Sequence, residues 1–146
     1  IFGFIYKVAV VTVNRSDAEH RAKSVQVLKT VLAKNISIAL APEGTFNMEP
    51  VALAHFYDGA FRISIETQTP IKPLLFIDTY DRMHHGSLFS LKPGRLRTVY
   101  LEAISPAGYT LETVEEFKQH VYQIMEQKLI AYKASWIDPN YTLASS

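Results

Sequence analysis

The first forty residues alternate between dense apolar runs and a helical repeat, a pattern that predicts a strand–helix–strand unit. Residues 8–13 (VAVVTV) are rich in β-branched side chains and do not alternate, as expected of a strand buried on both faces. A capping-box pattern, Ser16 and Glu19, then opens apolar positions at helical spacing, which predicts a helix of about four turns that stops near Asn35. Residues 36–41 (ISIALA) have the composition of a second buried strand. This order favours a parallel strand pair joined by a crossover helix.

The middle of the chain carries a segment whose pattern supports two structures. Residues 61–67 (FRISIET) alternate strictly between apolar and polar, which predicts a half-buried strand. The same segment follows Asp58 and Gly59, so it also fits a short capped helix with Phe61 and Ile65 on one face. Further strands are predicted at residues 71–77 and 96–104, with a polar loop between them.

The C-terminal part predicts a long amphipathic helix that packs on the sheet. A second capping box, Thr113 and Glu116, precedes apolar residues at helical spacing: Val114, Phe117, Val121, Ile124 and Leu129. After Trp136 the chain turns polar, and we expect it to fray. The elements together predict a single α/β domain over residues 1–136, with a mixed, largely parallel sheet flanked by helices, and a polar C-terminal tail over residues 137–146.

Composition narrows the classes of function. The 146 residues carry a formal net charge of +1, which argues against nucleic-acid binding through bulk charge, and no cysteine, which excludes thiolate metal sites and a cysteine nucleophile. The pair His84 and His85 has no metal-binding partner at a telling spacing, so we predict a solvated loop and no metal site. The chain begins with Ile1 inside an apolar run, and we expect it to be a fragment whose natural start lies upstream.

Polar clusters follow two of the predicted strands, where ligands bind in open parallel sheets. Arg15 follows the first strand and Glu43, Gly44 and Thr45 follow the second, inside the stretch APEGTFN (residues 41–47). An arginine can bind a phosphate with two parallel hydrogen bonds, and a glycine lets backbone amides approach an anion. Taken alone, each feature is more typical of a turn, a solvated arginine or a surface ion pair than of a binding site.

The ordered set of motifs resembles the glycerolipid acyltransferase family, the 1-acylglycerol-3-phosphate (lysophosphatidic acid) acyltransferases and their relatives. APEGTFN followed by FYDGAFRISIETQTPIKPLLF is similar to the third and fourth motifs of that family. FGFIYKVAVVTVNRSD is similar to its second motif, which ends in an arginine, here Arg15. The resemblance covers residues 1–77, more than half of the chain.

The resemblance implies roles for individual residues. Arg15 would bind the phosphate of the acceptor, Glu43, Gly44 and Thr45 would hold its glycerol phosphate portion, and Pro73 would shape the fourth motif. It also implies that residues 59–67 are helical. The family commonly has an arginine directly after Glu-Gly-Thr, and this chain has Phe46 there. Two cations nearby are possible substitutes, but we expect an exposed position for one and strand-end packing for the other: Arg62 and Lys72.

The general base that the family uses is absent from the chain. The family has a histidine and an aspartate separated by four residues, upstream of the second motif, and none of the five histidines here has an aspartate at that spacing. A base is needed on the attacking hydroxyl, because acyl transfer from a thioester removes its proton. We therefore predict no catalytic residue in this chain and no turnover from it alone. His55 is the one histidine near the predicted site.

The resemblance implies a bacterial-type acyltransferase that moves a fatty acyl group from acyl-CoA or acyl-carrier protein to a lysophosphatidic-acid-like acceptor. No metal or bound cofactor is expected. The substrates imply the cytoplasmic face of the cell membrane, with peripheral attachment or an anchor outside this chain. A noncatalytic phospholipid- or phosphate-binding pseudoenzyme domain is the alternative, and a generic α/β protein with an ordinary Pro-Glu-Gly-Thr turn is a third hypothesis.

Overall fold

The computed structural model describes residues 18–83 and 88–141, and the chain divides into two units, Ile1–Leu40 and Ala41–Ser146. In the first unit, helix α1 (Ala18–Ala33) carries an exposed ion pair between Glu19 and Lys23, with 2.7 Å between the charged atoms. Its four turns confirm the helix predicted there. The strand predicted over residues 8–13 and the serine of the first capping box lie outside the described residues.

Helix α1 ends where the sequence predicts. Asn35 adopts a left-handed conformation with φ of 57°, which asparagine tolerates better than most residues. The amide of Asn35 donates to the carbonyl of Leu32 at 2.9 Å, and the amide of Ile36 donates to that of Val31 at 3.3 Å. These two bonds form a Schellman motif, which satisfies carbonyls that the helix end leaves without partners.

The prediction of a buried strand over residues 36–41 is wrong. The described backbone there forms no strand, and Ile36 and Leu40 are about half exposed. Apolar density indicated burial, but a strand also needs a ladder partner, which a run of apolar residues does not specify. The partner expected from the sequence, residues 8–13, is not among the described residues.

The second unit contains the candidate site and most of the described regular structure. Its elements, in chain order, are α2 (Gly59–Thr67), β1 (Leu74–Phe76), α3 (Thr79–Arg82), a 3₁₀ turn (Leu88–Ser90), β2 (Thr98–Tyr100) and α4 (Val114–Ala131). Strands β1 and β2 fall inside the two strands predicted at residues 71–77 and 96–104.

The sheet of the described residues is antiparallel, so the predicted largely parallel sheet is not supported. Leu75 pairs with Val99 at the centre of β1 and β2, and an isolated bridge joins Ile71 to Ile104. Parallel neighbours need a long crossover, usually a helix. The connection between these strands contains only the four-residue helix α3 and a 3₁₀ turn among its described residues, so the chain returns alongside itself instead.

Helix α2 settles the segment for which the pattern left two structures open. Residues Gly59–Thr67 are helical, as the family resemblance implies, and the strand favoured by their alternation is wrong. Phe61, Ile63, Ser64 and Ile65 are all buried, which means that the core covers this helix on more than one face. Because Ile63 is buried as well as Phe61 and Ile65, the apolar positions of this short helix alternate along the sequence as they would in a strand.

The core forms where α4 packs against α2 and shares apolar side chains with the sheet. Phe117 lies at its centre, fully buried, with its ring centroid 6.0 Å from that of Phe61 and 4.8 Å from that of Tyr109. The helical spacing predicted for α4 is confirmed by its buried residues. The core cluster joins the two helices to the sheet and to the segment before α2. Its buried residues include Leu53, Phe56, Phe61, Ile65, Leu75, Ile77, Leu101, Val114, Phe117, Val121 and Leu129.

Two local predictions about α4 and its surroundings are wrong. Thr113 is the residue before the helix, but its side chain makes no capping bond; its hydroxyl oxygen accepts the amide of Thr110 at 2.9 Å, so the capping box does not form. The chain after Trp136 does not fray before Tyr141. Ile137 and Tyr141 pack on the core, and the amide of Asp138 donates to the carbonyl of Pro50 at 3.0 Å.

An ion pair joins the end of β1 to the start of β2. The guanidinium of Arg97 donates to both carboxylate oxygens of Asp78, at 2.7 to 3.2 Å, and the Arg97 amide donates to the same carboxylate at 2.8 Å. These hydrogen bonds from Arg97 lower the pKa of Asp78 from 3.8 to about 2. A carboxylate with a lowered pKa stabilises the fold at pH values above its ordinary pKa. This stabilisation is lost as the pH falls through the lowered pKa of the folded state.

We therefore expect the Asp78→Asn variant to differ from the parent chain in its acid sensitivity. The parent should be the more stable at neutral pH, and its advantage should shrink as the pH falls from about 4 to about 2. Urea midpoints at a series of pH values measure this difference. Glu102→Gln, which removes an exposed carboxylate after β2, serves as the control. A stability difference between parent and variant that stays constant over that pH range would contradict the lowered pKa of Asp78.

Candidate functional site

The loop over residues 41–47 begins with a tight turn. The amide of Gly44 donates to the carbonyl of Ala41 at 3.1 Å, and Gly44 has a φ of 64°. Glycine adopts this left-handed backbone at little cost, which explains its place in the turn. Because the turn uses the Gly44 amide, that N–H is not available to an anion in this conformation.

Glu43 turns back from this loop toward the neighbouring segment. Its Oε2 atom accepts the amide of Ala54 at 2.7 Å. The side chain is about half buried, and this burial raises the pKa of Glu43, with the Ala54 bond opposing the rise. Glu43 is therefore a carboxylate held in one position by the backbone, and it lines a cavity of about 190 Å³.

The cavity beside Glu43 is polar at one place and apolar elsewhere. Glu43 and Asn47 are its polar lining residues, and the remaining ones, apolar apart from the indole nitrogen of Trp136, come from the sheet, α4 and the segments near them: Ala52, Leu53, Leu74, Leu75, Phe76, Met125, Leu129 and Trp136. Sites for small molecules combine a few fixed polar groups with an apolar wall in this way, but most of them are larger than this cavity.

Further hydrogen bonds attach the loop to the segment that follows it. The Asn47 side-chain amide donates to the carbonyl of Val51 at 2.9 Å, and its oxygen accepts the amide of Glu49. The amide of Tyr57 donates to the carbonyl of Pro42 at 2.9 Å. The loop and residues 49–57 therefore form one hydrogen-bonded unit around the Glu43 carboxylate.

The structure brings only some of the predicted site residues together. Glu43, Gly44 and Thr45 share one loop, with Thr45 and the following Phe46 exposed. Pro73 is buried at the start of β1, where its carbonyl accepts the amide of Leu101 at 3.0 Å, and the next residue lines the Glu43 cavity. Arg15 lies outside the described residues, so its position relative to this loop stays a prediction.

The two cations that might replace the missing arginine of the family motif occupy surface positions. Arg62 is exposed on α2. The ammonium of Lys72 lies 5.8 Å from the centre of the Tyr100 ring, across the antiparallel pair. Both placements agree with the exposed position and the strand-end packing that we expected for them.

His55 lines a separate cavity of about 330 Å³, together with Phe56, Glu115, Lys118, Gln119 and Tyr122. Its ring makes an edge contact with Tyr57, with centroids 5.9 Å apart. The ammonium of Lys118 contacts Glu115 at 2.6 Å and Asp58 at 2.8 Å. Both carboxylates bind Lys118, and none of the described residues forms a hydrogen bond with the His55 ring that would hold it as a catalytic histidine.

Lys118 keeps its charge although its side chain is nearly buried. Burial alone would lower the pKa of Lys118, but its bonds to Asp58 and Glu115 outweigh burial and raise that pKa. This cluster is a structural link between α4 and the residue before α2, and it leaves no unbalanced positive charge for a phosphate.

The described residues contain neither a cluster of metal ligands nor a helix that could span a membrane. Within residues 18–83 and 88–141, no group of three histidine, cysteine, aspartate or glutamate side chains could hold a metal ion. The helices in the same ranges are also too short or too polar to cross a membrane. His84 and His85 lie in the gap between these ranges.

Sequence patterns missed the residues that hold the segment after the Glu43 loop, residues 51–53, through hydrogen bonds. The Trp136 indole donates to the carbonyls of Val51 and Ala52, and the Tyr122 hydroxyl donates to that of Leu53. Glu126, almost completely buried, accepts a hydrogen bond from Tyr141. One signal was present: Glu126 is a charged residue three positions before Leu129, on the apolar side of α4.

Comparison with known proteins adds to this geometry. The Acyltransferase family model matches residues 1–77. The chain is 25% identical over 120 residues to a 1-acyl-sn-glycerol-3-phosphate acyltransferase of Chlamydomonas reinhardtii, covering 82% of this chain and 36% of that protein. It is 27% identical over 117 residues to the Haemophilus influenzae protein of the same name, covering 77% and 47%. The mouse protein named 1-acyl-sn-glycerol-3-phosphate acyltransferase alpha is 28% identical over 100 residues, covering 68% and 35%.

The chain thus spans less than half of the length of each of these relatives. They come from an alga, a bacterium and a mammal, so they do not establish the bacterial type expected from the sequence. No solved structure matches the chain.

Proposed function

The chain belongs to the acyltransferase family, and we propose that its parent protein transfers a fatty acyl group to a 1-acylglycerol 3-phosphate. The relatives' names support a glycerol phosphate acceptor. The observation that carries the proposal is the Glu43 carboxylate, which the Ala54 amide holds beside a partly apolar cavity. A lysophospholipid has the matching chemistry, since hydroxyl and phosphate groups adjoin an acyl chain.

Within this proposal the loop holds the acceptor. One Glu43 oxygen is bound by Ala54, and we assign the other, Oε1, to a hydroxyl of the glycerol. Thr45, exposed on the same loop, adds a hydroxyl beside the acceptor phosphate, and Arg15 binds that phosphate through its guanidinium. Gly44 makes the turn that presents these groups, and Pro73 holds the start of β1 beside the cavity.

The donor is an acyl thioester, acyl-CoA or acyl-carrier protein. The acceptor hydroxyl attacks the thioester carbonyl, a base takes the hydroxyl proton, and the thiol leaves. Neither a metal nor a bound cofactor is needed, because alignment and proton transfer account for the chemistry. The base is not among the 146 residues, and we place it elsewhere in the parent protein. Because the acceptor is amphiphilic, we propose that the reaction takes place at the cytoplasmic face of the cell membrane, which the protein reaches peripherally or through segments outside this chain.

A turnover assay separates this proposal from a noncatalytic phospholipid-binding domain. We expect the 146-residue chain to release no thiol from acyl-CoA and lysophosphatidic acid above a buffer blank, and the full-length parent to release it. Inactivity of the full-length protein would favour the noncatalytic alternative. Release by the chain alone would contradict our placement of the base, and loss of that release in His55→Gln would then identify the residue responsible.

A further inference from the structure

The segment after the Glu43 loop is held from one side by the C-terminal part of the chain. Each carbonyl from Pro50 to Leu53 accepts a hydrogen bond from that part: the Asp138 amide reaches Pro50, the Trp136 indole reaches the next two, and the Tyr122 hydroxyl reaches Leu53 at 2.9 Å. The next residue is Ala54, whose amide holds the Glu43 carboxylate.

The C-terminal residues are themselves anchored in the core. Tyr141 donates to the carboxylate of Glu126, whose exposure is only 1%, and the Tyr141 amide donates to the carbonyl of Asp138 at 2.9 Å. Burial and the neighbouring Glu126 raise the pKa of Tyr141, so its hydroxyl remains a donor at neutral pH. We call residues 136–141 the strap.

We propose that Tyr122 and the strap residue Trp136 position Glu43 for the acceptor. Two hydrogen bonds and the backbone between them connect these residues. A side-chain donor holds a carbonyl of residues 51–53, the backbone continues from there to Ala54, and the Ala54 amide donates to Oε2 of Glu43. Trp136 and Glu43 also line the same cavity, so the strap closes one side of the site it supports. This inference rests on the proposed role of Glu43 in acceptor binding.

Hydrogen exchange tests the positioning without any ligand. Tyr122→Phe and Trp136→Phe each remove a donor and keep an aromatic ring, and Tyr109→Phe, whose ring packs on Phe117, is the control. We expect protection of the Ala54 amide to fall about tenfold in both variants, while the Ile71 and Ile104 amides, which bond each other's carbonyls in the isolated bridge, keep theirs. Unchanged protection at Ala54 would overturn the proposal.

Affinity for the acceptor separates positioning from general stabilisation. In calorimetric titrations with a short-chain lysophosphatidate, well below the unfolding temperature, Tyr122→Phe should raise Kd about threefold to tenfold, the effect of one lost hydrogen bond. Tyr109→Phe should leave Kd unchanged. Adding Tyr122→Phe to Glu43→Gln should weaken binding little further, because both act through one carboxylate.

The outcomes distinguish the two hypotheses. If Glu43→Gln weakens binding and the Tyr122 and Trp136 variants do not, the positioning role is wrong and acceptor binding by Glu43 stands. If Glu43→Gln has no effect on Kd, the proposed role of Glu43 is wrong, and the inference that rests on it falls as well.

Discussion

Replacing Phe117 by alanine is expected to lower the free energy of unfolding by about 3–5 kcal/mol, the range observed for buried aromatic residues cut back to alanine. The side chain is fully buried between α2 and α4, and its ring contacts Phe61 and Tyr109. Truncation removes apolar contacts and leaves a cavity that the surrounding residues fill only in part. Since domains of this size are stable by about 5–15 kcal/mol, the loss is a large share of the total.

Urea unfolding followed by tryptophan fluorescence measures this effect, because Trp136 is the one tryptophan of the chain. Phe46→Ala is the matched control: the same substitution at a side chain that is 79% exposed should change stability by no more than about 0.5 kcal/mol. A loss below about 1 kcal/mol at Phe117 would show that the packing between α2 and α4 differs from the structure described.

Replacing Arg15 by alanine is expected to raise the Kd for lysophosphatidate about tenfold to a hundredfold. Hydrogen bonds to charged groups contribute about 1.5–3 kcal/mol, and each 1.4 kcal/mol corresponds to a factor of about ten. Arg62→Ala, at an exposed position on α2, removes the same charge and should leave Kd within about twofold. Equal Kd values for Arg15→Ala and the parent chain would contradict the phosphate assignment.

The sequence predicted the helices well where a helical repeat continues for several turns. Helices α1 and α4 have 16 and 18 residues, long enough for apolar residues at the helical period to outweigh local exceptions. Helix α2 has only nine residues and is buried on more than one face, so Phe61, Ile63 and Ile65 gave a strand-like alternation. The residue pattern left both a strand and a short helix open there, and the resemblance to the family favoured the helix.

Features that depend on contacts between distant residues could not be predicted. The direction of the β1–β2 pair follows from how the chain returns between them, and no local pattern records it. The Tyr122–Leu53 and Trp136–Val51 hydrogen bonds join residues 69 and 85 positions apart. The polar composition after Trp136 suggested fraying for the same reason: the hydrogen bond from the Tyr141 hydroxyl to the buried Glu126 of α4 joins residues far apart in the sequence.

The candidate site also has one part that the sequence predicted and one part that it could not predict. Its loop was predictable, because Pro-Glu-Gly-Thr is a recognisable motif and Gly44 provides the left-handed backbone of a turn. The hydrogen bond from Ala54 to Glu43 and the bonds from Asn47 were not, since ordinary residues make them. The motif therefore located the loop, and the structure shows which hydrogen bonds hold its Glu43 carboxylate.

The most direct test of the central claim, that this chain carries the acceptor-holding part of an acyltransferase site, is a calorimetric titration with a matched pair of ligands. One is a short-chain 1-acylglycerol 3-phosphate, and the other is the 1-acylglycerol without its phosphate. We predict saturable binding of the first and at least tenfold weaker binding of the second, about the effect of one charge-assisted contact. Equal affinity for the two ligands, or no binding of either, would contradict the claim.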